Sequence, residues 1–272
     1  MSATIRLTDR TAAPRLAVDH RMNNLKGHIS GNTQIVPEAC ALSDVAAVIF
    51  DWDGVLVDSG QNYYRAYELV LKELGITITP REIYLREGQP TPELIASLCA
   101  ERGMTISDAE ARQFAQRRRE YDLALGQRAF FPGVWEFLDY LRGAGCKLAM
   151  VTGSSRKSVD LVLLPEQRRH FEAVVTADDV TRPKPDPQPF LLAARMMGVE
   201  SSRCAVVENA PYGVRAARAA GCLVIAICTT LTAEDLCEAD CVVADHRELE
   251  SLFSAKLQGC PASKPYSAER QA

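Results

Sequence analysis

The sequence contains no run of about 20 apolar residues of the kind a bilayer-crossing helix needs. Its first residues lack the charged-then-apolar order of a secretory signal. Charge of one sign is not in excess either, with 31 Lys and Arg against 35 Asp and Glu and a formal net charge of −4. A general nucleic-acid binder would show a concentrated basic face. No membrane, no nucleic acid and a cytoplasmic location are therefore the expectations. Histidine is scarce, and His20, His28, His170 and His246 show no ligand or triad spacing. Cysteine is not scarce, but its nine residues are odd in number and form no CxxC pair. Several (Cys204, Cys222, Cys228, Cys241) lie in apolar runs, which predicts buried thiols in a reducing compartment rather than a disulfide framework. Cys237 and Cys241 lie four apart with no nearby histidine, so no zinc set is expected.

What is present is a chain of 272 residues, 47% hydrophobic and 24% charged, close to an average globular protein. Collagen, coiled coil and wholesale disorder are excluded, and the length suits one large or two small domains. Residues 1–43 are polar and broken by Pro14, Gly27, Gly31 and Pro37, which predicts a poorly ordered extension. Residues 258–272, with Pro261 and Pro265, predict a flexible tail. Between them, short apolar runs at 45–50, 147–152, 173–176, 204–207, 223–228 and 241–244 read as strands buried on both faces. Helical patterns at 134–141, 155–164, 189–197 and 212–220 separate most of them, and Gly145, Gly198 and Gly221 supply stops. Strand–helix alternation of this kind predicts an α/β fold, a doubly wound parallel sheet. Residues 60–129 interrupt it with helical periodicity and are too long for a loop. Tyr63, Tyr67, Val70, Leu71 and Leu74 share one helical face, and Ser107 with Glu110 forms a capping box. The expected division is thus a core of 44–59 and 130–257 with an inserted small helical domain at 60–129.

Four segments carry chemistry. In VIFDWDGVLVDS an apolar strand ends in Asp51, and a side-chain period of two lets Asp51 and Asp53 point the same way while Gly54 turns the chain. Open α/β sheets bind ligands at such strand ends, and two crowded carboxylates call for a hard divalent cation. The alternative is a solvated acidic turn. In LAMVTGSS, Thr152 ends a second strand and Gly153, Ser154 and Ser155 open a helix, as an oxyanion site or simply as a cap. In TRPKPDPQPF, Lys184 is stiffened between Pro183 and Pro185, whereas most lysines are merely solvated. In CAVVENAPYGVRAARAAG, Glu208 and Asn209 follow another buried strand, with Asn209 also readable as a helix cap, and Gly213 implies close helix–sheet packing. The triple basic run Arg117–Arg119 reads as a solvated face and Trp52 and Trp135 as packing residues.

DWDGVLVDS resembles the nucleophile motif of the haloacid dehalogenase superfamily in its phosphatase branch, and the insertion resembles that family's helical cap. The other three segments follow in the family's order. The resemblance covers roughly residues 45–253 and implies a magnesium-dependent phosphatase acting on a small phosphomonoester such as a sugar phosphate or similar metabolite. By that resemblance Asp51 is the nucleophile that carries an aspartyl-phosphate and Asp53 the general acid and base. Thr152, Gly153 and Lys184 grip phosphate, and Asp51, Asp53, Glu208 and Asn209 hold Mg2+. Arg86, in LREGQ, lies where related caps turn a basic side chain to the substrate. Asn209 departs from the family's usual acidic residue and donates a weaker, neutral oxygen. The alternatives are a sugar phosphomutase resembling β-phosphoglucomutase and a non-catalytic binding module of the same fold. Such mutases carry a histidine in the first cap helix, where this chain has Tyr63, and residues 60–131 contain no histidine.

Overall fold

The computed structural model describes residues 42–126 and 128–257, so the expected tail and nearly all of the expected extension lie outside the described residues. Leu42, placed in the extension by the sequence reading, is instead buried in the main core. The chain runs β1 (Ala47–Asp51), β2 (Val57–Asp58), α1 (Gly60–Lys72), α2 (Pro80–Tyr84), α3 (Thr91–Glu101), α4 (Asp108–Ala124) and β3 (Ala129–Phe130). It continues through α5 (Val134–Gly143), β4 (Lys147–Val151), α6 (Arg156–Asp160), α7 (Pro165–Arg168), β5 (Ala173–Val175) and α8 (Gln188–Met197). The remainder is β6 (Cys204–Glu208), α9 (Pro211–Ala219), β7 (Leu223–Ile227), β8 (Cys241–Val243) and α10 (His246–Leu257).

Six strands form one parallel sheet in the order β5-β4-β1-β6-β7-β8. This is the doubly wound α/β arrangement expected from the alternation, and its physical cause lies in the strands themselves. Every residue of β1 and β6 is buried, and alternate side chains enter opposite faces. Val48, Phe50, Leu148, Met150 and Val207 join Phe137, Leu141, Leu249 and Phe253 on one face. Ala47, Ile49, Ala149, Val151 and Val206 join Phe190, Ala194, Val214 and Ala217 on the other. The sheet reverses its winding between β4, β1 and β6, the place where such folds bind ligands.

Residues 60–124 form α1 to α4 around their own apolar cluster, which includes Tyr67, Val70, Leu71, Ile83, Leu94, Leu98 and Phe114. The Ser107–Glu110 capping box is present, and a second one, Thr79 with Glu82, starts α2. The two crossings between this layer and the sheet are hydrogen-bonded to each other, because β2 and β3 pair antiparallel. The single helix expected at 155–164 is broken: α6 stops at Asp160, and Pro165, which cannot donate to a preceding turn, begins α7. The triple basic run is not simply solvated. Arg118 lies 4.9 Å and 4.8 Å over the rings of Tyr63 and Tyr67, and Arg117 pairs with Glu73 at 2.7 Å. Five of the described cysteines are buried and none of those described is in a disulfide, and burial pushes Cys204 up to about 11 and Cys222 up to about 12.

Trp52 sits between the two carboxylates of the first motif yet is 1% exposed, with its ring edge-on to Phe130 at 5.5 Å. Phe130 in turn meets Trp135 at 4.6 Å. This aromatic row joins the end of β1 to β3 and α5. Trp52→Ala is therefore expected to destabilise the protein by about 3–5 kcal/mol in urea unfolding; a loss under about 1 kcal/mol would show that the ring is not part of the core.

Candidate active site

Neighbouring strands deliver the chemistry to one edge of the sheet. Asp51 ends β1 opposite Val151 of β4, so Thr152 follows directly beside it. On the other side β6 runs parallel to β1 and ends in Glu208, followed by Asn209. Lys184 enters from the loop between β5 and α8, and the peptide that joins it to Pro185 is cis. Its Nζ lies 2.6 Å from Asp51 Oδ1 and 2.6 Å from Glu208 Oε1, with the residue 6% exposed. An ammonium buried to this degree is tolerable only because two carboxylates share it.

The second oxygen of Glu208 accepts the backbone N–H of Asn209 at 2.9 Å and of Ala210 at 3.1 Å. Gly213 makes room for this carboxylate: a Cβ there would lie 1.7 Å from Glu208 Oε1. The close helix–sheet packing expected at Gly213 is thus a contact with one functional side chain. Asp53 accepts from Ser154 Oγ at 3.0 Å and from Arg128 at 3.4 Å. Arg128 also pairs with Asp122 of α4. Thr152 is buried, and its hydroxyl accepts the N–H of Ser154 at 2.9 Å. At Gly153 a Cβ would meet nothing within 4 Å, so the backbone there faces open space.

The DxDG turn also explains itself at Gly54, where φ is +78° and a Cβ would lie 2.2 Å from Asn209 Nδ2. Asn209 is wholly buried, and its Nδ2 donates to Thr230 Oγ1 at 3.1 Å and to Glu87 Oε2 at 3.3 Å. Its Oδ1 has no hydrogen-bond partner. Five of the expected residues, Asp51, Asp53, Lys184, Glu208 and Asn209, with Thr152 and Gly153 beside them, therefore meet at one strand-end hollow. Arg86 does not join them. Its guanidinium is spent on Glu101, at 2.8 Å and 2.9 Å, and on the Glu82 carbonyl at 2.8 Å. Besides Arg128, the side chain that the insertion sends to the residues of the hollow is the one after Arg86, Glu87. Sequence reasoning missed it together with Arg128 and Arg118, and read Ser154 as an oxyanion or cap residue rather than as the partner of Asp53. Gly88, directly after Glu87, was the available signal of a close backbone approach.

Carboxylates outnumber cations here, and their protonation shows it. Burial pushes the Asp51 carboxyl up to about 8; Lys184 opposes this, while Glu208 and Asp53 add to it. Burial, reinforced by Asp51, Asp53 and Glu208, holds Glu87 well above the carboxylate range. Burial works against the Lys184 ammonium, but Asp51 and Glu208 outweigh it and raise its pKa. Among the described residues no three His, Cys, Asp or Glu side chains are gathered as a ready metal-holding group. Lys184 stands between Asp51 and Glu208. The donors nonetheless suit a hard cation: they are all oxygen, and one of them, Asn209 Oδ1, is buried without a partner.

Comparisons with known proteins agree with this geometry. The haloacid dehalogenase-like hydrolase family model matches residues 45–221. The chain is 32% identical over 196 residues to Protein SUPPRESSOR OF QUENCHING 1, chloroplastic, of Arabidopsis thaliana, a match that covers 69% of this chain but only 18% of that protein. It is 30% identical over 179 residues to fructose-1-phosphate phosphatase YqaB of Escherichia coli, covering 65% of this chain and 93% of the relative. Among solved structures, a Bacteroides vulgatus protein provisionally named a β-phosphoglucomutase superposes with a TM-score of 0.69 at 30% identity, covering 80% of this chain and 90% of that one.

Two outcomes follow from the site's packing and charge. Gly213→Ala drives a methyl into the Glu208 carboxylate and is expected to cost about 1–3 kcal/mol or more in urea unfolding; an unchanged midpoint would mean that Glu208 sits elsewhere. The Asp51 carboxyl is raised from 3.8 to about 8, so folding favours its protonated form. The stability it contributes is complete below about pH 4 and is lost as pH climbs to about 8. Asp51→Asn also takes one carboxylate from the buried Lys184, so it is expected to lower the melting temperature in chelator-treated buffer, by less at pH 8 than at pH 5. An equal loss at both values would contradict the raised carboxyl.

Proposed function

We propose, from the premise that the chain belongs to the haloacid dehalogenase-like hydrolases, that it hydrolyses a small phosphomonoester, a sugar phosphate or similar metabolite. The observation that carries this reading is the buried Lys184 placed 2.6 Å from both Asp51 and Glu208. Asp51 attacks phosphorus in line; the bond from its carboxylate to phosphorus forms as the bond to the leaving oxygen breaks. Asp53 gives that oxygen a proton, and one difficult step becomes two easier ones. A water then attacks the aspartyl-phosphate, Asp53 takes its proton, and inorganic phosphate leaves with Asp51 regenerated. Ser154 and Arg128 hold Asp53 while Lys184 holds Asp51, and these different partners suit the two carboxyl groups to different roles. Lys184, the Thr152 hydroxyl and the backbone at Gly153 stabilise charge on the transferring oxygens. Asp51, the Asp53 carbonyl and Asn209, with Glu208 bracing the set, would hold magnesium, which would neutralise charge at the transferring group.

The helices of 60–129 act in this reading as a cap over a core of 44–59 and 130–257, shedding water and reading the leaving group. Their separate apolar cluster supports the division. The mutase reading has one likeness in its favour, the Bacteroides vulgatus structure, and one residue against it. Where such mutases carry a histidine, Tyr63 lies beneath Arg118, and burial raises its pKa well above 10. A phenol so placed shuttles no proton near neutral pH. A non-catalytic module would need the machinery to be incomplete, and Asp51, Asp53, Thr152 and Lys184 are all at the hollow. The cytoplasm is the proposed compartment; no described helix is long and apolar enough to cross a membrane, and one relative is named chloroplastic.

Phosphate release from p-nitrophenyl phosphate and from a panel of sugar phosphates tests the reading. Release is expected only with magnesium, and Asp51→Asn is expected to lower it about a thousandfold or more. Formation of an isomeric sugar phosphate that requires bisphosphate priming would replace hydrolysis with the mutase reading.

A further inference from the structure

Asn209 lacks the negative charge expected at its position, and the structure shows what stands beside it instead. We infer that Glu87, carried by the helical insertion, is the second anionic group of the cation site and pins Asn209 so that its carbonyl oxygen faces the cation. Binding of the cation and seating of the insertion on the sheet edge then become one linked equilibrium. The inference rests on the cation-assisted reading above, but its test needs no turnover.

Three observations carry it. The Asn209 amide is oriented by its donors, Nδ2 reaching Glu87 Oε2 at 3.3 Å. Thr230 Oγ1 at 3.1 Å holds the same end. The other end, Oδ1, is then the buried, unpartnered acceptor, in a residue that is 0% exposed. Such an atom is costly to leave bare and is the oxygen donor a hard cation takes.

The second observation is the seat of Glu87. It follows α2 in a turn whose next residue, Gly88, has φ +94°. A Cβ at Gly88 would lie 2.9 Å from Tyr212 Cβ and 3.8 Å from Lys184 Cβ, so this turn rests on the core beside the catalytic lysine. The third is charge. Glu87 shares the field of Asp51, Asp53, Glu208 and Lys184, and a divalent cation placed among these carboxylates favours the ionised form that burial alone opposes. Asn209 with Glu87 carries the same charge as an aspartate at 209 with a neutral cap residue. The difference is that here the charge arrives with the insertion. Lifting the insertion removes a carboxylate from the cation, and by linkage the cation holds the insertion down.

Calorimetric titration of the full chain with Mg2+ and with Mn2+, without substrate, tests this. Glu87→Gln, which keeps size and removes charge, is expected to weaken both affinities about tenfold or more. Glu87→Gln/Asn209→Asp, which returns the charge to the core, is expected to recover them to within about threefold. In the unsubstituted protein, Mg2+ should slow amide hydrogen exchange across residues 85–90, and in Glu87→Gln it should not. Affinities in Glu87→Gln within about twofold of the parent, at an unchanged melting temperature, would overturn the inference, as would a double variant that stays weak. If the single variant is unstable, absence of any Mg2+ effect on exchange at 85–90 in the parent overturns it by itself. A protein whose cation affinity follows Glu87 but which releases no phosphate would sink only the phosphatase reading.

Discussion

One buried ammonium organises the site. Lys184 lies where water cannot solvate it, and it persists there because Asp51 and Glu208 close on it from two neighbouring strands. Breaking such a buried pair by removing one partner costs roughly 3–5 kcal/mol, far more than a surface pair is worth. The arrangement is therefore a constraint on the fold as much as a product of it. β1 and β6 must be adjacent and in register, the proline-flanked loop must deliver Lys184 to the gap between their ends, and residue 213 must be small enough to admit Glu208. Each condition is met by a different part of the chain, which is why the residues concerned are scattered from 51 to 213.

The same constraint leaves the hollow short of positive charge. Asp51, Asp53, Glu87 and Glu208 share one field, answered by Lys184 among them and by Arg128 and Arg118 at Asp53. Folding has buried carboxylates that would be cheaper in water, and the protein tolerates the cost where the chemistry needs it. A carboxylate that attacks phosphorus, as proposed for Asp51, must be ionised, yet burial drives this one toward its protonated form. Whatever adds positive charge beside Asp51 both relieves the folded state and readies the nucleophile. Stability and reactivity are here two readings of one electrostatic deficit.

Much of this was legible in the sequence, for reasons that differ between elements. The six core strands were visible because a strand buried on both faces must be apolar throughout, and AVIF, KLAMV and CAVV are nearly so. The inner face of α1 and the Ser107 cap of α4 were visible because both are local patterns. The β2–β3 pair was not, since two residues carry no period, and α2 was not, being five residues long. The helix over 155–164 was misjudged because the apolar spacing continues through Leu161 to Leu164 while the hydrogen bonding does not. In the site, the residues at strand ends were readable because a charge after an apolar run has few innocent uses. Arg86 and Glu87 were not separable, because which of two adjacent side chains turns inward depends on Glu101, twelve or more residues away, claiming the arginine. Arg118 was hidden for the same kind of reason, its neighbours Tyr63 and Tyr67 lying on another helix.

The place of the insertion in the chain has a physical logic of its own. It leaves the sheet directly after the DxDG turn and returns just after Arg128, so both crossings stand at the Asp51 end of β1. Pairing of β2 with β3 ties the outgoing and returning strands together, and Trp52, Phe130 and Trp135 pack that tie onto the core. Small changes in the helices are thus transmitted to the residues flanking Asp51 and Asp53 rather than to a remote loop. Arg128 makes the connection explicit, touching Asp53 on the core side and Asp122 on α4. Glu87 makes it again from the far side, through Asn209. A layer of helices attached in this way can govern both which molecule enters and whether the carboxylates beneath it are arranged to act, because the two tasks share the same few contacts.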